Sequence, residues 1–136
     1  MKVFISGPMR GIPYYNFPAF DAAKAAFEAV GFEVVTPADL DRAIGFDAMD
    51  MPADTDWHAE AGFDIKAAMK RNIDALLDCD GVVFLAGAHG SLGCMLELDI
   101  ADRCKIPYFC QGSRDLAKLI QHVQKIWTDC AGKGEA

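Results

Sequence analysis

The chain has 136 residues, of which 52% are hydrophobic and 24% charged, with a net charge of −7. That length suits one domain with a single sizeable core, and no apolar run approaches the roughly 20 residues of a membrane span. The acidic balance argues against a nucleic-acid polymer as partner, because such binders carry a basic face.

Strand and helix patterns alternate along the chain. Val3-Phe4-Ile5 is a short apolar run ending at Gly7-Pro8, and it reads as a buried first strand. Asn16 with Pro18 predicts an N-cap followed by a proline in the first turn. Phe20, Ala23, Phe27 and Val30 then recur at helical spacing, and Gly31 supplies the stop. Phe32 to Val35 predicts a second strand, closed by Pro37. Ile65, Ala68, Met69, Ile73, Leu76 and Leu77 form another helical stripe. A third strand covers Val82 to Leu85, a helix bearing Glu97 follows it, and Ile106 to Phe109 predicts a fourth strand. The last helix carries Leu116, Leu119, Ile120, Val123 and Trp127, and the tail after Cys130 reads as frayed. This order, with short connections, predicts an α/β domain over residues 1–136. Its architecture is a three-layer Rossmann- or flavodoxin-like parallel sheet of four to five strands with helices on both faces.

The chain enters its first strand without the basic and apolar regions of a signal peptide. Its five cysteines (Cys79, Cys94, Cys104, Cys110 and Cys130) show neither CxxC spacing nor an even count. A reduced, cytoplasmic setting without a zinc site follows as the expectation.

Residues 39–64 break the rhythm, with Asp41, Asp47, Asp50, Asp54, Asp56, Glu60 and Asp64 set among Phe46, Met49, Met51 and Trp57. A connection this long is either a solvated acidic loop or a functional lid. As a lid it would offer Phe46, Met49 or Trp57 to stack on a base, an interaction of roughly 1–3 kcal/mol. No ligand spacing among its acids supports a metal site.

In an open parallel sheet the ligand lies beyond the carboxyl ends of the strands, at the switch point. The loops Gly7-Pro8-Met9-Arg10-Gly11 and Gly87-Ala88-His89-Gly90-Ser91-Leu92-Gly93 should therefore converge. The first lacks GxGxxG, and no Walker A pattern is present, so neither a dinucleotide nor ATP hydrolysis is indicated. Gly7 would let the chain approach a ligand, and Arg10 is either an anion partner or a surface charge. The stretch Ser91 to Glu97 opens a helix, whose free N–H groups attract anions such as phosphate. Helical side chains lean toward the N-terminus and residues four apart stack, so Glu97 should point at Gly93, where no side chain fills the space. The plainer alternative for Glu97 is a charge on an exposed helix face.

Two stretches carry a resemblance. Val3-Phe4-Ile5-Ser6-Gly7-Pro8-Met9-Arg10-Gly11, and Asp80-Gly81-Val82-Val83 running on to Ser91-x-Gly93-x-x-x-Glu97-x-x-x-Ala101, resemble the nucleoside 2-deoxyribosyltransferase superfamily. The likeness spans about residues 3 to 110 and points to a small phage and bacterial branch that shares the Asn16 to Phe20 element. The Ser-x-Gly-x-x-x-Glu form is similar to that of the 2'-deoxynucleoside 5'-monophosphate N-glycosidases, whose serine helps hold the 5'-phosphate. True transferases carry an acid there, which meets a free 5'-hydroxyl. The resemblance implies Glu97 as a nucleophile on the anomeric carbon, working ionised, with a covalent glycosyl ester as intermediate. It further implies Ser6, Gly7, Pro8, Met9, Arg10, Gly11, Phe20, Gly87, His89, Ser91 and Gly93 around a small nucleotide or nucleoside. No cofactor is expected, and relatives assemble as homodimers or larger, completing their sites across the interface.

One departure matters. Where many members carry an aspartate that assists the departing base, this chain has Asn72, which cannot shuttle a proton at neutral pH. Asp74, Asp64 or His58 could substitute, the leaving group could need no acid, or catalysis could be weak. A tyrosine often seen near the sugar has no secure counterpart, with Tyr14, Tyr15 and Phe20 nearby in sequence. His89 could meet an anion or be incidental; His122 reads as structural or exposed. Cys94, near a helix start, could have a lowered pKa but reads as packing. The expected activity is base removal from a (2'-deoxy)nucleoside 5'-monophosphate. A non-catalytic nucleotide-binding or sensing module and a transferase on free nucleosides are the alternatives.

Overall fold

Val3, Phe4 and Ile5 are fully buried, so β1 (Lys2–Ser6) is covered on both faces, as the continuous apolar run requires. In the computed structural model, which describes residues 1–132, β1 pairs in parallel with β2 (Glu33–Val35) on one side and β3 (Gly81–Phe84) on the other. β4 (Tyr108–Cys110) completes a four-stranded sheet of order β2-β1-β3-β4. Val3, Ile5, Val83 and Phe109 pack with Phe20, Ala23 and Phe27 of α1 (Phe17–Glu28) and with Leu119 and Val123 of α5 (Leu116–Gly132). The opposite parity, Phe4, Val82 and Phe84, packs with Leu76 of α3 (Ile65–Leu77) and with Cys94 and Ala101 of α4 (Leu92–Arg103). The result is a three-layer Rossmann-like α/β fold, and no described helix is long and apolar enough to cross a membrane.

Element ends differ from the sequence expectation for local reasons. Phe32 closes the turn after α1, with its amide on the Phe27 carbonyl and its ring edge-on to Phe27, so β2 starts one residue later. Val30 lies past the end of α1 and is exposed. The Ile106 amide bonds back to Ala101, which delays β4 to Tyr108. Asn16 flanks α1 but does not cap it with its side chain. Its φ is 62°, and its amide donates instead to the Pro8 carbonyl at 2.8 Å.

Residues 39–64 are neither a solvated loop nor a free lid. They begin inside α2 (Pro37–Ala43), whose start Thr36 caps by accepting from the Asp39 amide at 3.1 Å. Asp47 and Asp56 cap two short 3-10 turns, and Asp64 caps α3. Much of the acidity is thus turn chemistry. Between these turns Trp57 is buried, with Phe46 5.4 Å and Phe63 6.1 Å away by ring centroids, so Trp57 and Phe46 are engaged with each other rather than offered to a base. Met49 is exposed and lies outside the cleft described below.

Arg42 ties this segment to α1. It forms two 2.8 Å bonds to Asp21, reaches Asp39 at 3.4 Å and Asp47 at 3.3 Å, and lies 5.0 Å over the Phe17 ring. Arg42→Ala is expected to cost about 1–3 kcal/mol, lowering the thermal midpoint by roughly 5–10 °C. A melt indistinguishable from the parent's would show that these contacts contribute nothing.

Candidate functional site

The sheet order reverses at β1 and β3, and the loops that follow them meet: a Cβ at Gly87 would lie 3.3 Å from Pro8 Cγ. A cleft of about 680 Å³ opens beside this junction, between the first loop, α3 and the start of α4. Pro8, Met9, Arg10, Gly11, Ser91 and Gly93 line it, together with Asn72 and Glu97.

Ser91 caps α4 by accepting from the Cys94 amide at 3.3 Å, and Met95 bonds to the Ser91 carbonyl. The amides of Leu92 and Gly93 thus stand among the unpaired donors that every helix start presents. Above Gly93 the space is open; a Cβ there would meet nothing nearer than Ser91 Oγ at 3.8 Å. One turn further on, Glu97 is only 8% exposed, and its Oε2 is buried without a hydrogen-bond partner. Burial pushes its pKa up to about 7, with the Ser6 hydroxyl acting weakly the other way. The surface-charge alternative for this residue is thereby ruled out. On α3, Asn72 lines the same cleft, and its Oδ1 is likewise buried and unpartnered. Two residues that line one cleft therefore each carry a buried acceptor oxygen without a donor, an arrangement that costs stability.

Other expected positions fall elsewhere. Ser6 is buried behind the cleft wall, where it donates to Cys94 Sγ at 3.3 Å. Gly7 lines the cleft, but the missing side chain is needed by the core: a Cβ would lie 3.2 Å from both Leu85 Cβ and Phe20 Cζ. Phe20 is fully buried beneath Gly7 and lines no part of the cleft. Gly87, at φ +85°, and His89 are exposed on the far side of the loop, outside the cleft. Arg10 lines the cleft and is exposed, with its Nη2 3.5 Å from Asp56 Oδ2. Cys94 is buried, and burial raises its pKa, so the helix start does not activate it. Asp64 is engaged as the α3 cap, and Asp74 is exposed outside the cleft. His58 does line it, and its Nε2 is 2.9 Å from the hydroxyl of Tyr15, which also faces the cleft. Among the described residues no three His, Cys, Asp or Glu side chains gather as a metal site.

The topology and the cleft define a class: Rossmann-like three-layer α/β domains with a cleft beside the strand-order reversal. Within it, the chain belongs to the family described as a domain of unknown function (DUF4406), whose model matches residues 1–109. That span contains every cleft residue named above. No curated protein matches the chain.

Proposed function

We propose that the protein is an N-glycoside hydrolase that removes the base from a 2'-deoxynucleoside 5'-monophosphate or a related nucleotide. The observation that carries this reading is the buried Glu97 carboxyl, whose Oε2 has no partner, one turn inside α4 and beneath the open space at Gly93. The similarity of Ser91-x-Gly93-x-x-x-Glu97 to the nucleotide N-glycosidases supports it. A 5'-phosphate would take the free amides at the start of α4, with the Ser91 hydroxyl and Arg10 as further donors. The anomeric carbon would then sit over Glu97. A Glu97 oxygen bonds to that carbon as the C–N bond breaks, and the bonding pair leaves with the base. Water then adds to the same carbon and returns the carboxylate. The exposed Ile65, Leu92 and Leu96 at the cleft rim form a surface that a second copy would cover in the homodimer implied by the resemblance.

The nucleophile must be ionised, and the Glu97 carboxyl loses its proton near pH 7. Below that pH, kcat/KM is expected to fall about tenfold per pH unit, with a plateau above it. A flat profile from pH 5 to 8 would remove Glu97 from the chemical step.

Chromatography of deoxynucleoside monophosphates incubated with the protein tests the reading. Free base is expected, and Glu97→Gln should abolish its release. Thermal stabilisation by a nucleotide with no base released would instead identify a binding or sensing module, the reading that Asn72 at the acid position favours. Equal release from nucleosides without phosphate would assign the site to free nucleosides.

A further inference from the structure

We infer that Tyr15, backed by His58, gives the departing base its proton, an assignment that rests on the glycosidase reading above. A base leaving a glycosidic carbon needs a donor, and Asn72 cannot be one that shuttles protons. Of the substitutes that the sequence offers, Asp64 is occupied as a cap and Asp74 lies outside the cleft. The Tyr15 hydroxyl and His58 Nε2 are 2.9 Å apart in the wall of the cleft that holds Glu97. With phosphate at the start of α4 and the anomeric carbon over Glu97, the base would occupy the rest of the cleft, whose lining includes this pair and Ile65, Met69 and Ile73 of α3.

The surroundings hold the pair in place. Tyr14, Tyr15 and Asn16 are consecutive left-handed residues, with φ 54°, 54° and 62°. Such backbone is strained for residues with a side chain and persists only where the structure enforces it. Here the Tyr14 amide bonds to the Ala53 carbonyl at 2.9 Å, and the Asn16 side chain bonds to the Pro8 carbonyl. The Tyr15 ring packs 6.4 Å from Trp57 and edge-on to Phe63 at 6.3 Å, while the His58 ring lies 5.8 Å from Phe63. Asp56 caps the turn that carries His58, accepting from the His58 amide. The charged groups acting on the phenol are Asp41 on α2 and Asp56, which raise its pKa, and Arg10, which lowers it. Burial, aided by Asp41, pushes the Tyr15 pKa up to about 12, so the phenol is a reluctant acid when it acts alone. His58 lowers that obstacle. As the C–N bond breaks, its electron pair goes to the base nitrogen, which takes the phenolic proton, and His58, with its proton on Nε2, donates a hydrogen bond to the phenolate oxygen that is left. When water opens the Glu97 ester, its released proton returns to that oxygen and restores the phenol. One water is consumed per base. Tyr15 is the catalytic member of the pair and His58 the positioning one.

The test pairs each deoxynucleotide the parent cleaves with an analogue whose base departs without a proton: the N7-methylated form for a purine, the 5-nitro form for a pyrimidine. Tyr15→Phe and His58→Gln should lower kcat about 100-fold or more on the unmodified nucleotide, with KM nearly unchanged, and only a few-fold on its analogue. Equal losses on both members of a pair, the signature of a structural role, would overturn the assignment. So would undiminished release from the unmodified nucleotide. Glu97-dependent release that survives both variants defeats this assignment alone, whereas a parent that releases no base defeats the glycosidase reading and this assignment with it.

Discussion

Glu97→Gln is expected to abolish base release, by about a thousandfold or more, and at the same time to make the protein harder to unfold at pH 8. Both effects follow from one property. The carboxyl titrates near pH 7 in the folded protein but at 4.5 as a free side chain. Below pH 4.5 both states hold the proton, and the group imposes no penalty. As pH rises toward 7 the unfolded chain ionises freely while burial resists ionisation in the folded one, so stability falls. Above pH 7 the full penalty applies, on the order of 3 kcal/mol. Glutamine escapes ionisation but leaves a buried amide, so the net gain should be about 1–3 kcal/mol, or roughly 3–10 °C in the melt. At pH 5 much of the gain should be gone. Calorimetry at the two pH values checks this; a variant less stable than the parent at both would show that the carboxyl is a structural anchor.

Two glycines of the cleft should respond in opposite ways to a side chain. Gly93→Leu is expected to fold as well as the parent or slightly better. Its Cβ meets open space, and a helical glycine costs up to about 1 kcal/mol relative to a residue with a side chain. The same change should weaken nucleotide binding about 100-fold or more, because the leucine fills the space over Glu97. Gly7→Ala should do the reverse. Its Cβ would lie 3.2 Å from the buried Leu85 and Phe20, and overpacking of that kind costs about 1–3 kcal/mol. Thermal melts with and without deoxynucleoside monophosphates separate the two. If Gly93→Leu kept full ligand stabilisation, the ligand would have to lie elsewhere in the cleft.

The features legible in the sequence were those set by neighbours along the chain. The parallel order, the meeting of the loops after β1 and β3, and the Ser91-capped helix with Glu97 one turn below Gly93 all follow from periodicity and capping. The depth of Glu97 did not follow, because it depends on how α3 packs on α4. Phe20 looks the same in sequence whether it faces a ligand or fills the space left by Gly7. His89 shares a loop with Ser91, yet the left-handed turn at Gly87 leaves it on the outside. Residues 39–64 were opaque for a related reason. Phe46, Trp57 and Phe63 form one aromatic cluster with Tyr15, but acid-capped turns rather than a helix or strand bring them together, so no period marks them. That cluster places His58 and Tyr15 in the cleft.

The central claim is that a Glu97 oxygen replaces the base on the anomeric carbon before water arrives, and the stereochemistry of the product tests it most directly. Cleavage in water containing methanol, followed by proton magnetic resonance, should yield a methyl glycoside of the same anomeric configuration as the starting nucleotide, since two displacements retain it. An initial product of wholly inverted configuration would mean that solvent attacks directly, and Glu97 would not be the nucleophile.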